Sequence, residues 1–236
     1  MTISVIIPTL NEAAHIEATL ASVLVQPGAA EVIVVDGGSE DDTVERASHH
    51  ARVMEAPRGR ARQMNAGAAV ALGEVLVFLH GDTQLPENGL EAIRMALDDP
   101  SAVGGCFRTT FDDDNFWMRV WTWRLWMRSH HLAFGDRAPF VRRSTFEAIG
   151  GFADQPLFED LELVSRIRRN GRFVFLNEAV QTSARRFHRH GAFRQQLYNT
   201  ALWFGWMLGL SSHHLKRFYS DDPNKRGVGS RLVANQ

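Results

Sequence analysis

The sequence predicts an α/β protein with a doubly wound, mostly parallel sheet flanked by helices. Two runs of β-branched apolar residues, at 4–8 and 31–38, end in turn residues and are typical of buried strands. Between them, apolar side chains over 11–26 recur at helical spacing, which completes a strand–helix–strand unit. Sheets of this class collect ligands beyond the carboxyl ends of their strands, and Asp36 and Asp82 are both expected at such ends.

Strands and helices continue to alternate along the chain. The pattern predicts helices at 41–51, 61–72 and 87–99, with strands at 74–80 and 102–111. After residue 100 the order is less regular, with helices at 115–129, 157–171 and 191–210 and a strand at 172–177. No linker or internal repeat divides the sequence. We therefore expect one domain over 1–218, in which 191–218 forms a carboxyl-terminal helix, and a loose tail over 219–236.

The overall composition excludes several classes of protein. Twenty-six basic and 27 acidic residues leave a net charge of −1, so no nucleic-acid partner is expected. The single cysteine, Cys106, excludes an internal disulfide and a cysteine-rich metal site. The amino terminus lacks the features of a signal peptide, which predicts a cytoplasmic protein. The apolar stretch 201–210 is about half the roughly 20 residues that cross a bilayer, so it predicts at most peripheral contact with the inner face of a membrane.

The residues after the first two strands bear on nucleotide chemistry. The first junction, "IIPTLNEAAHI", lacks the G-x-G-x-x-G pattern that brings a pyrophosphate to a helix, which argues against a dehydrogenase. Thr9 and Asn11 could instead cap the next helix, with Pro8 fixing the turn. At the second junction, Asp36 can accept hydrogen bonds from a base or ribose, and Gly38 allows close backbone approach. A turn followed by a helix cap is the alternative there.

A set of short motifs occurs in a characteristic order: "SVIIPTLNE", "VIVVDGGSEDDT", "GRARQMNAGAA", "HGD", "GGF" and "FEDLEL". This ordered set covers about residues 3–190 and resembles family 2 glycosyltransferases with the GT-A fold. "GRARQMN", "QPLFEDLEL" and "TSARRF" are similar to a small bacterial subgroup often described as selenodomain-associated transferases. The resemblance implies a GT-A domain with a nucleotide-binding half over 1–100, an acceptor half over 101–190 and a carboxyl-terminal helical extension.

The resemblance also implies which residues contact the sugar nucleotide. Those matching the family's nucleoside contacts are Pro8, Thr9, Asn11, Glu12, Asp36 and Gly38. Arg60 and Arg62 could contact base or phosphate, or could form an exposed basic helix start. Arg185 and Arg186 match a loop that closes on the donor, where guanidinium groups suit the oxygens of a diphosphate leaving group. A solvated basic loop is the alternative for these two arginines.

The motif His80-Gly81-Asp82 matches the family's Asp-x-Asp signature, with histidine in its first position. In the family the last aspartate is a metal ligand, so the resemblance implies that Asp82 binds a divalent cation beside the diphosphate. Oxygen ligands suit Mg²⁺, and an imidazole favours Mn²⁺. His188 is the candidate that completes the metal shell. Gly81 is expected to contact the donor, and His80 either contacts the donor or fills the strand end.

"PLFEDLEL" resembles the family's motif for the general base. Asp160 is then the residue that accepts the proton of an acceptor hydroxyl, and Glu159 supports it by orientation. Two carboxylates at a helix start could instead only stabilise the helix dipole. On the acceptor side, the resemblance implies that Gly135 and Asp136 contact the acceptor or the transferred sugar; an ordinary turn aspartate is the alternative for Asp136. Trp117 and Trp121, in the tryptophan-rich helix, either pack in the core or stack on sugar or at lipid headgroups.

The predicted function is an inverting, divalent-metal-dependent glycosyltransferase. It would move a sugar from a nucleoside diphosphate, with uridine favoured, to an acceptor hydroxyl whose identity the sequence does not specify. Two alternatives stay open: a nucleotide-sugar-binding protein without transferase activity, and a nucleotidyltransferase. The second usually needs a loop rich in glycine and basic residues after the first strand, which "PTLNEAAHI" does not provide.

Overall fold

The computed structural model describes residues 1–28, 30–113, 135–185 and 192–218. The strands are β1 (Ile3–Thr9), β2 (Ala30–Asp36), β3 (Arg52–Glu55), β4 (Val75–Phe78), β5 (Thr83–Gln84), β6 (Ala102–Phe111), β7 (Phe140–Arg142) and β8 (Arg172–Thr182). The helices are α1 (Ile16–Leu24), α2 (Thr43–Ser48), α3 (Arg60–Val70), α4 (Gly89–Leu97), α5 (Arg143–Ala148), α6 (Glu159–Ile167), α7 (Ala192–Met207) and α8 (Ser212–Lys216).

The described strands form one eight-stranded sheet in the order β3-β2-β1-β4-β7-β6-β8-β5. The first four strands in this order are mutually parallel. Beyond them the sheet is mixed, since β7 is antiparallel to both neighbours, β6 and β8 are parallel, and β5 is antiparallel to β8. Every residue of β1 is buried, as expected for a parallel strand covered by helices on both faces. The predicted α/β fold class is therefore confirmed.

The sheet separates two hydrophobic cores, and the side chains of β1 alternate between them. Val5 and Ile7 join the core beneath α1, α2 and α4, whereas Ile6 joins the core beneath α3, α5 and α6. The small residues of α3 let it approach the sheet closely, because a Cβ at Gly67 would lie 2.5 Å from Ile6 Cγ2. This close approach positions α3 beside the carboxyl ends of β1 and β2.

Several elements differ from the sequence prediction. Strands β3, β5 and β7 and helix α5 were not predicted. They are short, and their polar residues interrupt the apolar periodicity by which a strand or helix is recognised. The strand predicted at 172–177 continues as β8 to Thr182, since it pairs with β6 through two register shifts. Its extension carries the following residues back to the first half: Ser183 N donates to Asp82 O at 3.1 Å.

The carboxyl-terminal region is two helices, so the single helix predicted over 191–218 is wrong. The chain turns at Gly209, where φ is 89°, and α8 restarts with Ser211 accepting a hydrogen bond from His214 N. Leu157, Leu202 and Leu215 form a separate small core beneath these helices. None of the described helices has the length and apolarity that crossing a membrane requires. The predicted tryptophan-rich helix at 115–129 and the tail over 219–236 lie outside the described residues.

Candidate functional site

The carboxyl ends of three parallel strands meet at one edge of the sheet. Pro8 and Thr9 end β1, and Thr9 pairs in register with Asp36 at the end of β2. On the other side of β1, the turn after β4 carries Asp82. The predicted placement of both aspartates at strand ends is confirmed, and their neighbours supply most of the polar groups described below.

Asp36 holds the loop that follows β2. Its Oδ2 atom accepts hydrogen bonds from the amides of Gly38 and Ser39, each at 2.8 Å. Its Oδ1 atom accepts from the Ser39 hydroxyl and from Thr9 Oγ1. The residue is 2% exposed, so the carboxylate shapes the loop from inside. Gly38 has φ of 89° and open space where a Cβ would point, which leaves its face of the loop accessible.

The loop after β1 is tied to the loop after β2. Asn11, in a left-handed conformation with φ of 56°, accepts a hydrogen bond from the Glu40 amide at 2.8 Å and donates its own amide to Ser39 Oγ at 2.9 Å. Helix α1 is preceded by His15 and has no side-chain cap. The alternative that Thr9 and Asn11 cap this helix is therefore wrong, and both residues instead join the two loops.

Gln63, which the sequence analysis did not select, links the same two strands. The side chain is 3% exposed, and its Nε2 atom donates to Thr9 O and Val35 O, each at 2.8 Å. Its Oε1 atom accepts from the Gly59 amide at 3.3 Å. A glutamine within a helix is usually exposed. The small residues of α3 were the signal in the sequence that could have indicated this burial, because they let the helix bring Gln63 against the sheet.

The turn at His80-Gly81-Asp82 is compact. Thr83 N donates to His80 O at 3.1 Å, and Gly81 O accepts from Thr19 Oγ1 at 3.0 Å. A Cβ at Gly81 would lie 3.1 Å from both Thr9 Cγ2 and Glu12 Cγ, tighter than ordinary contact. Glycine therefore lets the turn approach the loop after β1, which brings Asp82 towards Glu12.

Arg185 connects these two carboxylates. Its Nη2 atom lies 3.3 Å from Asp82 Oδ2 and donates a hydrogen bond to Glu12 Oε1. Burial raises the pKa of Glu12, the hydrogen bond from Arg185 opposes that rise, and the charge of Asp82 adds to it. The pKa of Arg185 is also raised, because the favourable effect of the two carboxylates outweighs partial burial. The structure thus brings together three of the predicted donor-binding residues.

These carboxylates fit a cation that is shared with a bound diphosphate. No group of three or more His, Cys, Asp or Glu side chains suited to a metal occurs within the described ranges. A Mg²⁺ ion in a phosphate site commonly takes one or two carboxylates and fills its remaining positions with phosphate oxygens and water. Asp82 is 17% exposed, and the buried Oε2 of Glu12 accepts no hydrogen bond from the part of the chain that is described. The donor set therefore suits a metal that arrives with the nucleotide.

A second pair of carboxylates begins α6. Glu159 and Asp160 are 1% and 5% exposed, and Arg60 Nε lies 2.9 Å from Glu159 Oε1. The residue before them, Phe158, has a left-handed backbone with φ of 62°, which is uncommon for a bulky side chain and clusters at functional sites. Its ring packs on Trp206 at 5.5 Å between centroids. The Arg60 ion pair thus holds Glu159 at the start of α6.

The charge of Asp136 interacts with members of both carboxylate groups. Burial raises its pKa to about 6, Arg137 opposes the rise, Asp82 adds to it, and Arg60 opposes it. Charges from both groups, at Asp82 and at Arg60, therefore act on this residue. Its buried neighbour Arg137, which the sequence analysis did not select, donates from Nε to Phe107 O at 2.8 Å. A fully buried arginine has no distinctive sequence signal, because arginine is usually exposed.

The other predicted site residues have different surroundings. Arg62 is 53% exposed and forms an ion pair at 2.9 Å with Asp154 on the surface. Gly135 begins a short 3-10 turn that ends at Arg137. Four predicted residues lie outside the described part of the chain: Trp117, Trp121, Arg186 and His188. Their roles stay predictions.

Comparisons with known proteins identify the family. The model of Glycosyl transferase family 2 matches residues 4–153. A relative from Escherichia coli K12, the uncharacterized glycosyltransferase YibD, is 26% identical over 225 residues, which cover 80% of this chain and 64% of that relative. The chain spans 39% and 38% of the lengths of two other curated relatives that it matches.

Two solved structures share the fold. S. aureus TarS 1-349 in complex with UDP-GlcNAc has a TM-score of 0.63 at 18% identity, covering 78% of this chain and 58% of that one. Mannosyltransferase PcManGT from Pyrobaculum calidifontis, in complex with GDP-Man and Mn²⁺, has a TM-score of 0.67 at 21% identity, covering 94% and 66%. At these identities the likeness establishes the GT-A fold. Because the family model matches more than half of its residues, the chain belongs to glycosyl transferase family 2.

Proposed function

We propose that this chain is an inverting glycosyltransferase that moves a sugar from a nucleoside diphosphate to an acceptor hydroxyl with the help of a divalent cation. One observation carries the proposal: Glu12, Asp82 and Arg185 form a cluster of one cation and two carboxylates beyond the carboxyl ends of the parallel strands, and a second pair of carboxylates begins α6. The charges of Asp82 and of Arg60, which pairs with Glu159, both act on the pKa of Asp136. We infer that the first cluster binds the donor and that the second pair supplies the proton acceptor.

The loops after β1 and β2 would bind the nucleoside. Their backbone is fixed by Asp36, Asn11 and Gln63, so little conformational freedom is left to lose when a ligand binds. The solved relative TarS is a complex with UDP-GlcNAc, and PcManGT is a complex with GDP-Man and Mn²⁺. These ligands support a sugar nucleotide as the donor here, and we favour a uridine nucleotide.

Asp82 would hold the cation beside the diphosphate, with Glu12 next to it. When bound, a divalent cation neutralises charge that develops on the leaving diphosphate. Arg185 already lies at this position and presents a planar guanidinium that suits phosphate oxygens. We propose that Arg185 exchanges its carboxylate partners for the diphosphate when the donor binds.

Asp160 would act as the general base. The acceptor oxygen attacks the anomeric carbon, the bond from that carbon to the diphosphate oxygen breaks, and the hydroxyl proton passes to the Asp160 carboxylate. A single in-line displacement of this kind inverts the anomeric centre. Glu159, held by Arg60 at 2.9 Å, would position the helix start from which Asp160 projects.

Thermal unfolding in the presence of UDP-, GDP- and TDP-sugars, each with and without Mn²⁺, tests the proposal. A ligand that binds only the folded chain raises its apparent stability, by about 2.7 kcal/mol at a hundredfold excess over Kd. We expect a shift with UDP-sugars that depends on Mn²⁺. If no sugar nucleotide changes the transition, the proposal is wrong. If a sugar nucleotide binds but no sugar is released or transferred over long incubation, the chain is a binding protein without transferase activity.

A further inference from the structure

An apolar stripe runs along the outward side of α7 into the turn after it, outside the small core of Leu157, Leu202 and Leu215; the ring of Phe204 in this stripe contacts only the neighbouring Trp203 among the ring contacts of the described residues. Its members, at the spacing of one helix face, are Leu197, Ala201, Phe204 and Leu208. The three large side chains are 63%, 55% and 83% exposed. Single exposed apolar residues are ordinary on protein surfaces, but a continuous stripe of them on one helix marks a surface that contacts another apolar phase.

The apolar side chains on the inward side of the same helix are already packed against the domain. Leu202 is buried against Leu157, and Tyr198 and Trp206 pack around them. Trp206 also contacts the ring of Phe158. A helix that is apolar on its packed side and again on its outer side requires a second apolar environment. Packing among the described residues therefore does not account for the outer stripe.

The region around the stripe is basic. Leu210 and Phe218 extend the apolar surface and are 48% and 59% exposed, and they are close in sequence to Lys216 and Arg217. Over residues 179–220 the sequence contains no aspartate or glutamate, although the whole chain has 27 of them. Such a local excess of positive charge on a chain of net charge −1 is complementary to an anionic surface.

We propose that α7 and α8 form a membrane-docking surface that binds the anionic face of a phospholipid bilayer. An interfacial helix places leucine and aromatic side chains at the acyl boundary and basic side chains at the headgroups, which is the combination present here. Helix α7 has 16 residues, fewer than the roughly 20 needed to span the hydrocarbon layer. It therefore lies along the surface of the bilayer.

This surface adjoins the proposed catalytic residues. Phe158, which contacts Trp206 of α7, is the residue immediately before Glu159 and Asp160. One packing layer thus separates the membrane-docking surface from the proposed base. Resting on the proposed function, this geometry favours an acceptor presented at the membrane surface, where docking would bring its hydroxyl close to Asp160.

Sedimentation of the full chain with extruded vesicles tests the docking surface. The vesicles contain either phosphatidylcholine alone or phosphatidylcholine with about 30% phosphatidylglycerol, a fraction chosen to give an anionic surface. We expect at least roughly tenfold stronger binding to the anionic vesicles, and a loss of binding as salt screens the basic residues. Equal binding to both kinds of vesicle, or none to either, would overturn the proposal.

Variants locate the contact. Phe204→Ser with Leu208→Ser should reduce binding at least roughly tenfold, because both side chains leave the acyl boundary. Leu72→Ser is the matched control, since Leu72 is 83% exposed like Leu208 but follows the carboxyl-terminal end of α3, where its amide donates to Glu31, and it should bind as the wild type does. An equal loss of vesicle binding in Leu72→Ser would contradict the assignment of the contact to Phe204 and Leu208.

Two further measurements separate the outcomes. Analytical ultracentrifugation without lipid should show the same mass for the wild type and the Phe204→Ser/Leu208→Ser variant. A dimer that this variant abolishes would mean that a second copy of the chain covers the stripe, and the lipid proposal would be wrong. UDP binding should be equal in both proteins. Vesicle binding without any nucleotide binding would leave the docking surface intact and refute the proposed function instead.

Discussion

Arg185 Nη2 lies 3.3 Å from Asp82 Oδ2, although the two residues are 103 positions apart in the sequence. The contact exists because β8 extends to Thr182 and returns the chain to the turn after β4. The same guanidinium donates a hydrogen bond to Glu12, so one positive charge partly neutralises two carboxylates. A cation that enters with a diphosphate must therefore compete with Arg185.

Arg185→Gln should have opposite effects on the metal and on the nucleotide. Without the guanidinium, Mn²⁺ alone should bind more tightly by roughly tenfold, because Asp82 and Glu12 lose their competing counter-ion. UDP at saturating Mn²⁺ should bind more weakly by at least roughly tenfold, because the diphosphate loses a guanidinium donor. Titration calorimetry measures both. Arg46→Gln, which removes an exposed ion pair with Glu17, should change neither. Equal metal affinity in the Arg185 variant would contradict the competition.

Asp160→Asn should remove transfer without removing donor binding. An amide cannot accept the hydroxyl proton, so kcat should fall by about 10²–10⁴ while Kd for the donor stays within about twofold. Glu162→Gln is the matched control, because Glu162 belongs to the same helical turn but pairs with Arg166. Steady-state rates on an identified acceptor decide the matter, and a fully active Asp160→Asn protein would exclude this residue as the base.

Asp36→Asn should lower stability even in the absence of nucleotide. The carboxylate accepts hydrogen bonds from two amides and two hydroxyls, and an asparagine cannot accept through its amide nitrogen. The free energy of unfolding should fall by about 1–3 kcal/mol. Ser39→Ala, which removes one hydroxyl partner, should cost about 1 kcal/mol. Urea unfolding measures both, and an unchanged Asp36→Asn midpoint would mean that the loop does not depend on this carboxylate.

Asp136 should make stability depend on pH. Its pKa in the folded chain is raised to about 6, from an ordinary value of 3.8, so the folded state holds the proton more tightly than the unfolded state. The contribution of Asp136 to the free energy of unfolding is therefore fully present below about pH 4, and it is lost as pH rises through 6. Asp136→Asn should be more stable than the wild type at pH 7.5, by at most about 3 kcal/mol, and nearly equal at pH 4. Urea unfolding without metal or nucleotide should show this difference. The same pH dependence in both proteins would rule out a buried, titrating Asp136.

The first half of the fold was predictable because its strands are continuously apolar and its helices keep a clear period. Strands β1, β2 and β4 and helix α1 follow directly from that pattern, and with them the placement of Asp36 and Asp82. The antiparallel strand β7 was not predictable, because its three residues gain their strand partners only through β4 and β6. Short strands of this kind are determined by tertiary pairing rather than by local sequence.

The candidate site divides in the same way. Glu12, Asp82, Asp160 and Arg185 were selected from motifs, and the structure shows which of them are in contact. Gln63 and Arg137 were missed because both are residue types that are usually exposed, and their burial depends on how closely α3 and the turn before β7 approach the sheet. The left-handed backbone of Phe158 was likewise invisible to residue preferences, which favour glycine or asparagine there.

Titration of UDP into the wild-type chain and into Asp82→Asn, with and without Mn²⁺, tests the central claim most directly. The account predicts that UDP binds the wild type in a metal-dependent manner and that Asp82→Asn weakens binding in Mn²⁺ by at least roughly tenfold while the chain stays folded. Binding that is equal in the two proteins and indifferent to Mn²⁺, or no binding to the wild type, would contradict it.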